Sequence, residues 1–120
     1  MSIEDTINKV LGVLQFYQFS LTDEKVLQEL IYETLLAENI AIEREVPLPP
    51  YGIVDFMVEG VAFEVKIQGQ KKAIYRQCRD YTLHDDVKAL VLVTARAMGL
   101  PPEMNGKPAY VYSLTSGKTL

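Results

Sequence analysis

Two short runs of β-branched and aromatic residues, IVDFMV over 53–58 and VAFEVKI over 61–67, stand on either side of Glu59-Gly60. A glycine-bearing break of two residues between such runs predicts a tight hairpin. Counting back from the loop sets Val58 opposite Val61, Met57 opposite Ala62, Phe56 opposite Phe63 and Asp55 opposite Glu64. Side chains alternate along a strand, so Val54, Phe56, Val58, Val61, Phe63, Val65 and Ile67 share one wholly apolar face. Ile53, Asp55, Met57, Ala62, Glu64 and Lys66 share the other.

Around the hairpin the period changes. Ile3, Ile7, Val10, Leu11 and Leu14 recur at helical spacing and predict a helix over residues 3–17. Helix-starting residues at 20–24 precede Val26, Leu27, Leu30, Ile31 and Leu35, which predicts a second helix over 23–38. Residues 41–48 read as a strand ended by prolines at 47, 49 and 50. Ala73, Ile74, Gln77, Cys78 and Tyr81 lie along one side of a third helix over 71–83. The run VKALVLVT over 87–94 has the continuous apolar character of a strand covered on both faces. A proline-rich loop over 101–108 then leads to a last strand over 109–114, at or near the sheet edge. The prediction is an α/β fold: a mixed central sheet of four to five strands flanked by helices. Its strand-helix-strand path from 61 to 94 forms a parallel crossover. One domain over 1–120 is expected, with 23–94 as its core and 1–20 as a peripheral helix.

Composition narrows the function classes. At 48% hydrophobic and 23% charged residues the chain is of ordinary globular type. It holds no apolar run of membrane-spanning length, and its acidic amino terminus has no signal-peptide core, so a cytoplasmic protein without a membrane partner is expected. One cysteine, Cys78, excludes an internal disulfide, and one histidine, His84, argues against a zinc site of Cys and His ligands. A tail motif, Ser116-Gly117-Lys118-Thr119, is not a phosphate loop, because Tyr112 stands where the leading glycine is required and no helix follows. The net charge of −4 opposes tight nonspecific binding of nucleic acid. Lys66, Lys71, Lys72, Arg76 and Arg79 nevertheless cluster just after the hairpin, a local basic patch able to meet phosphate.

The polar face of the hairpin is where chemistry is expected. Like charges directly opposite in a sheet are destabilising, and Asp55 and Glu64 coincide in register with Lys66 one step along the same strand. A solvated charged face is the bland account; a site for a hard divalent cation such as magnesium is the sharper one.

The string Asp55, eight residues, Glu64-Val65-Lys66 resembles the PD-(D/E)XK nuclease superfamily, with Val54 in place of the name-giving proline. The resemblance covers about residues 23–94 and is to small stand-alone phage-type or Holliday-junction-resolvase-like members. It implies a restriction-endonuclease-like core and a magnesium-dependent nuclease, with manganese as a substitute, cutting phosphodiester bonds in DNA. Asp55, Glu64 and the main-chain carbonyl of Val65 would hold the metal. Glu24 on the first core helix, four residues before Gln28, would add a carboxylate, with Glu33 in reserve. Lys66 would orient water or stabilise charge on phosphorus. Gln77 and Tyr81 match a Q-x-x-x-Y pattern of exonuclease-like branches, although Asp80 stands where the branch has arginine and Arg79 is displaced by one. Gln77 is thereby a candidate catalytic residue. Lys71, Lys72, Arg76, Arg79 and Tyr81 are candidates for contact with nucleic acid. Arg44-Glu45 resembles an Arg-Glu pair that precedes the catalytic Asp in the superfamily. Two other accounts stay open: a catalytically silent binding module of the same fold, and a homodimeric junction-resolving enzyme.

Overall fold

A computed structural model of the chain describes residues 2–115, so the motif at 116–119 lies outside the described residues. Helices α1 (Ile3–Leu14) and α2 (Glu24–Ala37) precede strands β1 (Glu43–Pro47), β2 (Ile53–Val58) and β3 (Val61–Lys66). Helix α3 (Lys71–Tyr81) and strands β4 (Ala89–Thr94), β5 (Glu103–Met104) and β6 (Lys107–Ser113) follow. The fold is α/β, with helices on both faces of one mixed sheet.

Six strands join in the order β1-β2-β3-β4-β6-β5, against the four to five expected. The additional strand is β5, inside the segment 101–108 expected as loop. It turns back onto β6 through Asn105-Gly106, both at positive φ, with Met104 opposite Lys107. β6 is therefore one strand in from the edge. β3 and β4 run parallel across α3, and β4 and β6 are also parallel. β2 and β3 form the expected hairpin, with Phe56, Met57 and Val58 opposite Phe63, Ala62 and Val61. Its loop residues have φ of 46° at Glu59 and 83° at Gly60, the two left-handed positions of a type I′ turn.

One face of the sheet is covered by α1 and α2. Ile7, Val10, Leu14, Leu27, Ile31 and Leu35 pack there on Phe56, Val58, Phe63, Val65, Val91 and Val93. Thus α1 belongs to the central packing rather than serving as a peripheral support. The other face is covered by α3, whose Ile74, Cys78 and Tyr81 meet Met57, Ala62, Leu90 and Leu92. Both faces of β2 and β3 are buried, which is why Met57 and Ala62, on the mixed face of the hairpin, are apolar.

The alternation breaks at one place. Val54, expected beside Phe56, packs instead with the cluster beneath α3. On the neighbouring strand Arg44 turns toward Tyr32 of α2 while Val46 packs toward the α3 cluster. Between them Glu45 has φ of 51°, a strained conformation for a non-glycine residue. The reversal on both strands lies level with Asp55.

Helix α2 is set by its cap. Asp23 accepts from the Val26 N–H at 3.1 Å, satisfying one of the helix's free donors. Asp23→Ala is expected to lower stability by about 1 kcal/mol, a loss of roughly 4–8 °C in melting temperature for a domain of this size, measurable by thermal unfolding.

Candidate active site

The site lies where the hairpin opens. Beyond Phe56 and Phe63 the antiparallel ladder gives way to side-chain bonds. Asp55 Oδ2 accepts from the Val65 N–H at 2.8 Å, and Glu64 Oε1 accepts from the Asp55 N–H at 3.2 Å. Each acid thus takes a backbone N–H of the opposite strand, and these bonds, in place of the expected Asp55–Glu64 ladder pair, bring the two carboxylates together. Lys66 Nζ lies 3.3 Å from Glu64 Oε2. Glu24, at the start of α2, reaches across to accept from the Ile67 N–H at 2.9 Å, one residue beyond Lys66. Asp23, not Glu24, caps the helix. Glu33 is exposed.

Burial makes this cluster electrostatically costly. The Glu64 side chain is only 2% exposed. Its pKa is pushed up to about 8 by burial first and by the Asp55 charge second, against the pull of Lys66. Asp55 is likewise raised, chiefly by burial, although the Val65 N–H and Lys66 oppose the shift. Burial lowers the pKa of Lys66, but attraction from Glu64, Glu24 and Asp55 outweighs it, so the net shift is upward and the side chain stays an ammonium ion at neutral pH.

The donor set suits magnesium, which is usually held by one or two carboxylates together with waters and substrate oxygens. Among the described residues no group of three or more His, Cys, Asp or Glu converges as a ready-made metal cage. Two carboxylates do converge. Each carboxylate oxygen has two lone pairs, so Asp55, Glu64 and Glu24 all retain acceptor capacity beyond the bonds they make within the protein.

Helix α3 supports this centre. Gln77 Nε2 donates to the Tyr81 hydroxyl at 2.8 Å, and that hydroxyl donates to the Ile53 carbonyl at 2.7 Å. The relay ties α3 to β2 two residues before Asp55. Tyr81, expected to contact nucleic acid, is 1% exposed, so its hydroxyl positions the strand and does not reach a ligand. Tyr81→Phe is expected to cost about 0.5–1.5 kcal/mol, the net worth of one hydrogen bond, because it removes the donor to the Ile53 carbonyl; denaturant unfolding measures this. Gln77 is half-buried, and its amide carbonyl remains available beside Lys66. Lys71, Lys72, Arg76 and Arg79 are exposed on α3, Arg79 in an ion pair with Asp80.

Arg44 does not pair with Glu45. It meets Glu29 of α2 at 2.6 Å and lies over the Tyr32 ring, 4.6 Å from its centroid. Glu29, its side chain 48% exposed, is that pair's acid. Cys78 is fully buried, and burial pushes its thiol up to about 12, which removes it from nucleophilic chemistry.

An open groove of about 440 Å³ adjoins the centre, with Lys66, Gln68, Gln70, Gln77 and Tyr51 among its lining residues. Sequence reasoning did not single out Tyr51, Gln68 or Gln70. An aromatic residue between Pro50 and Gly52, four residues ahead of Asp55, was the available signal for Tyr51.

Compared with known proteins, the chain matches no family model, no curated protein and no solved structure. Among the described residues no helix is long and apolar enough to cross a membrane.

Proposed function

We propose that this chain is a metal-dependent nuclease that hydrolyses phosphodiester bonds, with DNA as its substrate. The observation that carries the reading is the pairing of Asp55 and Glu64 in one buried site with the Lys66 ammonium 3.3 Å from Glu64. Uncompensated, two such carboxylates repel; a divalent cation and a phosphate relieve that repulsion. Asp55, Glu64 and the Val65 carbonyl are the residues assigned to hold magnesium or manganese, with Glu24 joining from α2. Bound there, the ion supplies positive charge and Lewis acidity beside the phosphate.

The chain's own residues do the rest. Lys66 is held as a cation by three surrounding acids, so its role is to stabilise negative charge developing on the phosphoryl oxygens, not to remove a proton. A charge fixed before reaction needs no reorganisation when the phosphate changes geometry. Gln77, with its amide nitrogen committed to Tyr81, offers its carbonyl to orient water or a substrate hydroxyl. Lys71, Lys72 and Arg76 extend positive charge along the exposed face of α3 and steer the polyanion toward a chain that is acidic overall.

Cleavage assays with linear, circular, single-stranded and branched DNA and with RNA, in magnesium, in manganese and in chelator, test the reading. The expected result is cutting of DNA that requires the metal. Folded protein that cuts no substrate and binds no magnesium overturns it and leaves a silent binding module as the better account.

A further inference from the structure

We infer that the groove beside Lys66 is the seat of an unpaired nucleotide of the substrate strand, with Tyr51 as the residue on which its base stacks. The inference rests on the nuclease reading for its substrate and adds which form of nucleic acid the site accepts.

Tyr51 is presented by a tight loop. The Leu48 N–H donates to the Gly52 carbonyl at 2.7 Å, and the Tyr51 N–H donates to the Leu48 carbonyl at 2.6 Å. Gly52 sits at φ of 117°, a backbone conformation that side chains disfavour, and a side chain added there would meet the Tyr81 ring. The loop is thereby fixed between β1 and β2, and its aromatic residue is only partly buried. The Tyr51 and His84 rings are nearly perpendicular, their planes at 86° and centroids 6.4 Å apart.

Tyr51 lines two neighbouring depressions. One is the 440 Å³ groove that contains Lys66 and Gln77; the other, of about 270 Å³, is bounded by Pro49, Pro50, Leu83 and His84. Tyr51 is the residue shared by both linings. Along with Tyr51 and Lys66 the groove is lined by three glutamines, Gln68, Gln70 and Gln77, and by Ala73, Ile74 and Asp80. Amide side chains supply both donors and acceptors, the complement of an exposed base edge rather than of a phosphate backbone. Aromatic faces with adaptable polar neighbours are how unpaired bases are held, and stacking of this kind is indifferent to sequence. A stacked duplex presents neither a free base face nor a free pairing edge. The groove's continuity with Lys66 places the bound nucleotide next to the phosphate that is cut.

The test separates binding from cutting. Fluorescence anisotropy in chelator compares a labelled single-stranded oligonucleotide, the same oligonucleotide with one abasic site, and a blunt duplex. Wild type is set against Tyr51→Phe, which keeps the aromatic ring, and Tyr51→Leu, which keeps apolar bulk and loses it. Single strand is expected to bind more tightly than duplex. Tyr51→Leu should weaken single-strand binding by roughly five- to a hundredfold, the range reported by alanine substitution at stacking residues, with Tyr51→Phe close to wild type. On the abasic strand the loss should shrink. Equal affinity of wild type and Tyr51→Leu for the single strand overturns the inference, as does an equal loss on intact and abasic strands. Metal-dependent cutting of duplex at the wild-type rate by Tyr51→Leu also overturns it, while leaving the metal centre intact. Tyr51-dependent binding of single strand without any metal-dependent cutting upholds the groove and removes the nuclease reading alone.

Discussion

Lys66→Met protein is expected to fold as wild type does and to lose cleavage by about 10²–10³-fold in kcat, the usual consequence of removing one preorganised charge from a reacting centre. KM for the substrate is expected to change little, because the charge is used as negative charge develops and not in holding the polyanion. Asp55→Asn, which removes a carboxylate assigned to the metal, is expected to lose more. Its amide oxygen still accepts from the Val65 N–H, the bond that carboxylate makes at 2.8 Å, so the hairpin keeps its geometry. Steady-state kinetics beside a thermal melt distinguish the cases. Cleavage unaltered by either substitution in a folded protein removes the assignment of the centre.

Glu64→Gln is expected to do the opposite to stability of what it does to activity. The Glu64 carboxyl is raised from about 4.5 in the unfolded chain to about 8 in the folded one. Between those values the folded state holds a proton that the unfolded state has released, so wild-type stability falls as pH rises through this window and levels off above it. Glutamine has no such titration. Each tenfold change in proton affinity corresponds to about 1.4 kcal/mol. In chelator at pH 8 the Glu64→Gln protein is therefore expected to melt at least about 4–8 °C above wild type, with the gap closing toward pH 4.5. Magnesium should raise the melting temperature of wild type, since it binds the folded state, and should leave Glu64→Gln nearly unmoved. A wild-type protein as stable as the variant at pH 8 contradicts the account of a strained carboxylate pair.

How far the chain could be read without its structure depends on whether the information was local. The hairpin was legible because Glu59-Gly60 fixes the loop and pairing follows by counting; Val58 does face Val61. Asp55 and Glu64 fall together although the ladder stops at Phe56 and Phe63, because each carboxylate accepts a backbone N–H of the opposite strand. Val54 was misplaced because strict alternation fails where the hairpin opens at Asp55 and Glu45 adopts a left-handed backbone, a distortion shared by two strands. Strand β5 was missed although Asn105-Gly106 is a strong hairpin signal; three prolines and a strand only two residues long concealed it. Tyr81 was assigned to nucleic acid on the Q-x-x-x-Y resemblance, although helical spacing set it on the side of Ile74 and Cys78, which is the side that is buried. Arg44 drew notice only for the Arg44-Glu45 resemblance, whereas the partner it meets, Glu29, is fifteen residues away and outside any local pattern. Tyr51 carries no periodicity at all, since its position comes from two backbone bonds within one loop.

The two ends of the sheet bear on how copies of this chain can associate. At one end β1 carries Glu43, Arg44 and Glu45, with the left-handed break at Glu45 and a proline at its close. At the other, β5 offers only two residues. Charge, a kinked backbone, proline and brevity are the features that stop an exposed strand from templating another. The β1 margin is thereby guarded against strand addition along its length, whereas β5 shields only the Lys107-Pro108 start of β6, so the two margins of the sheet are protected unequally.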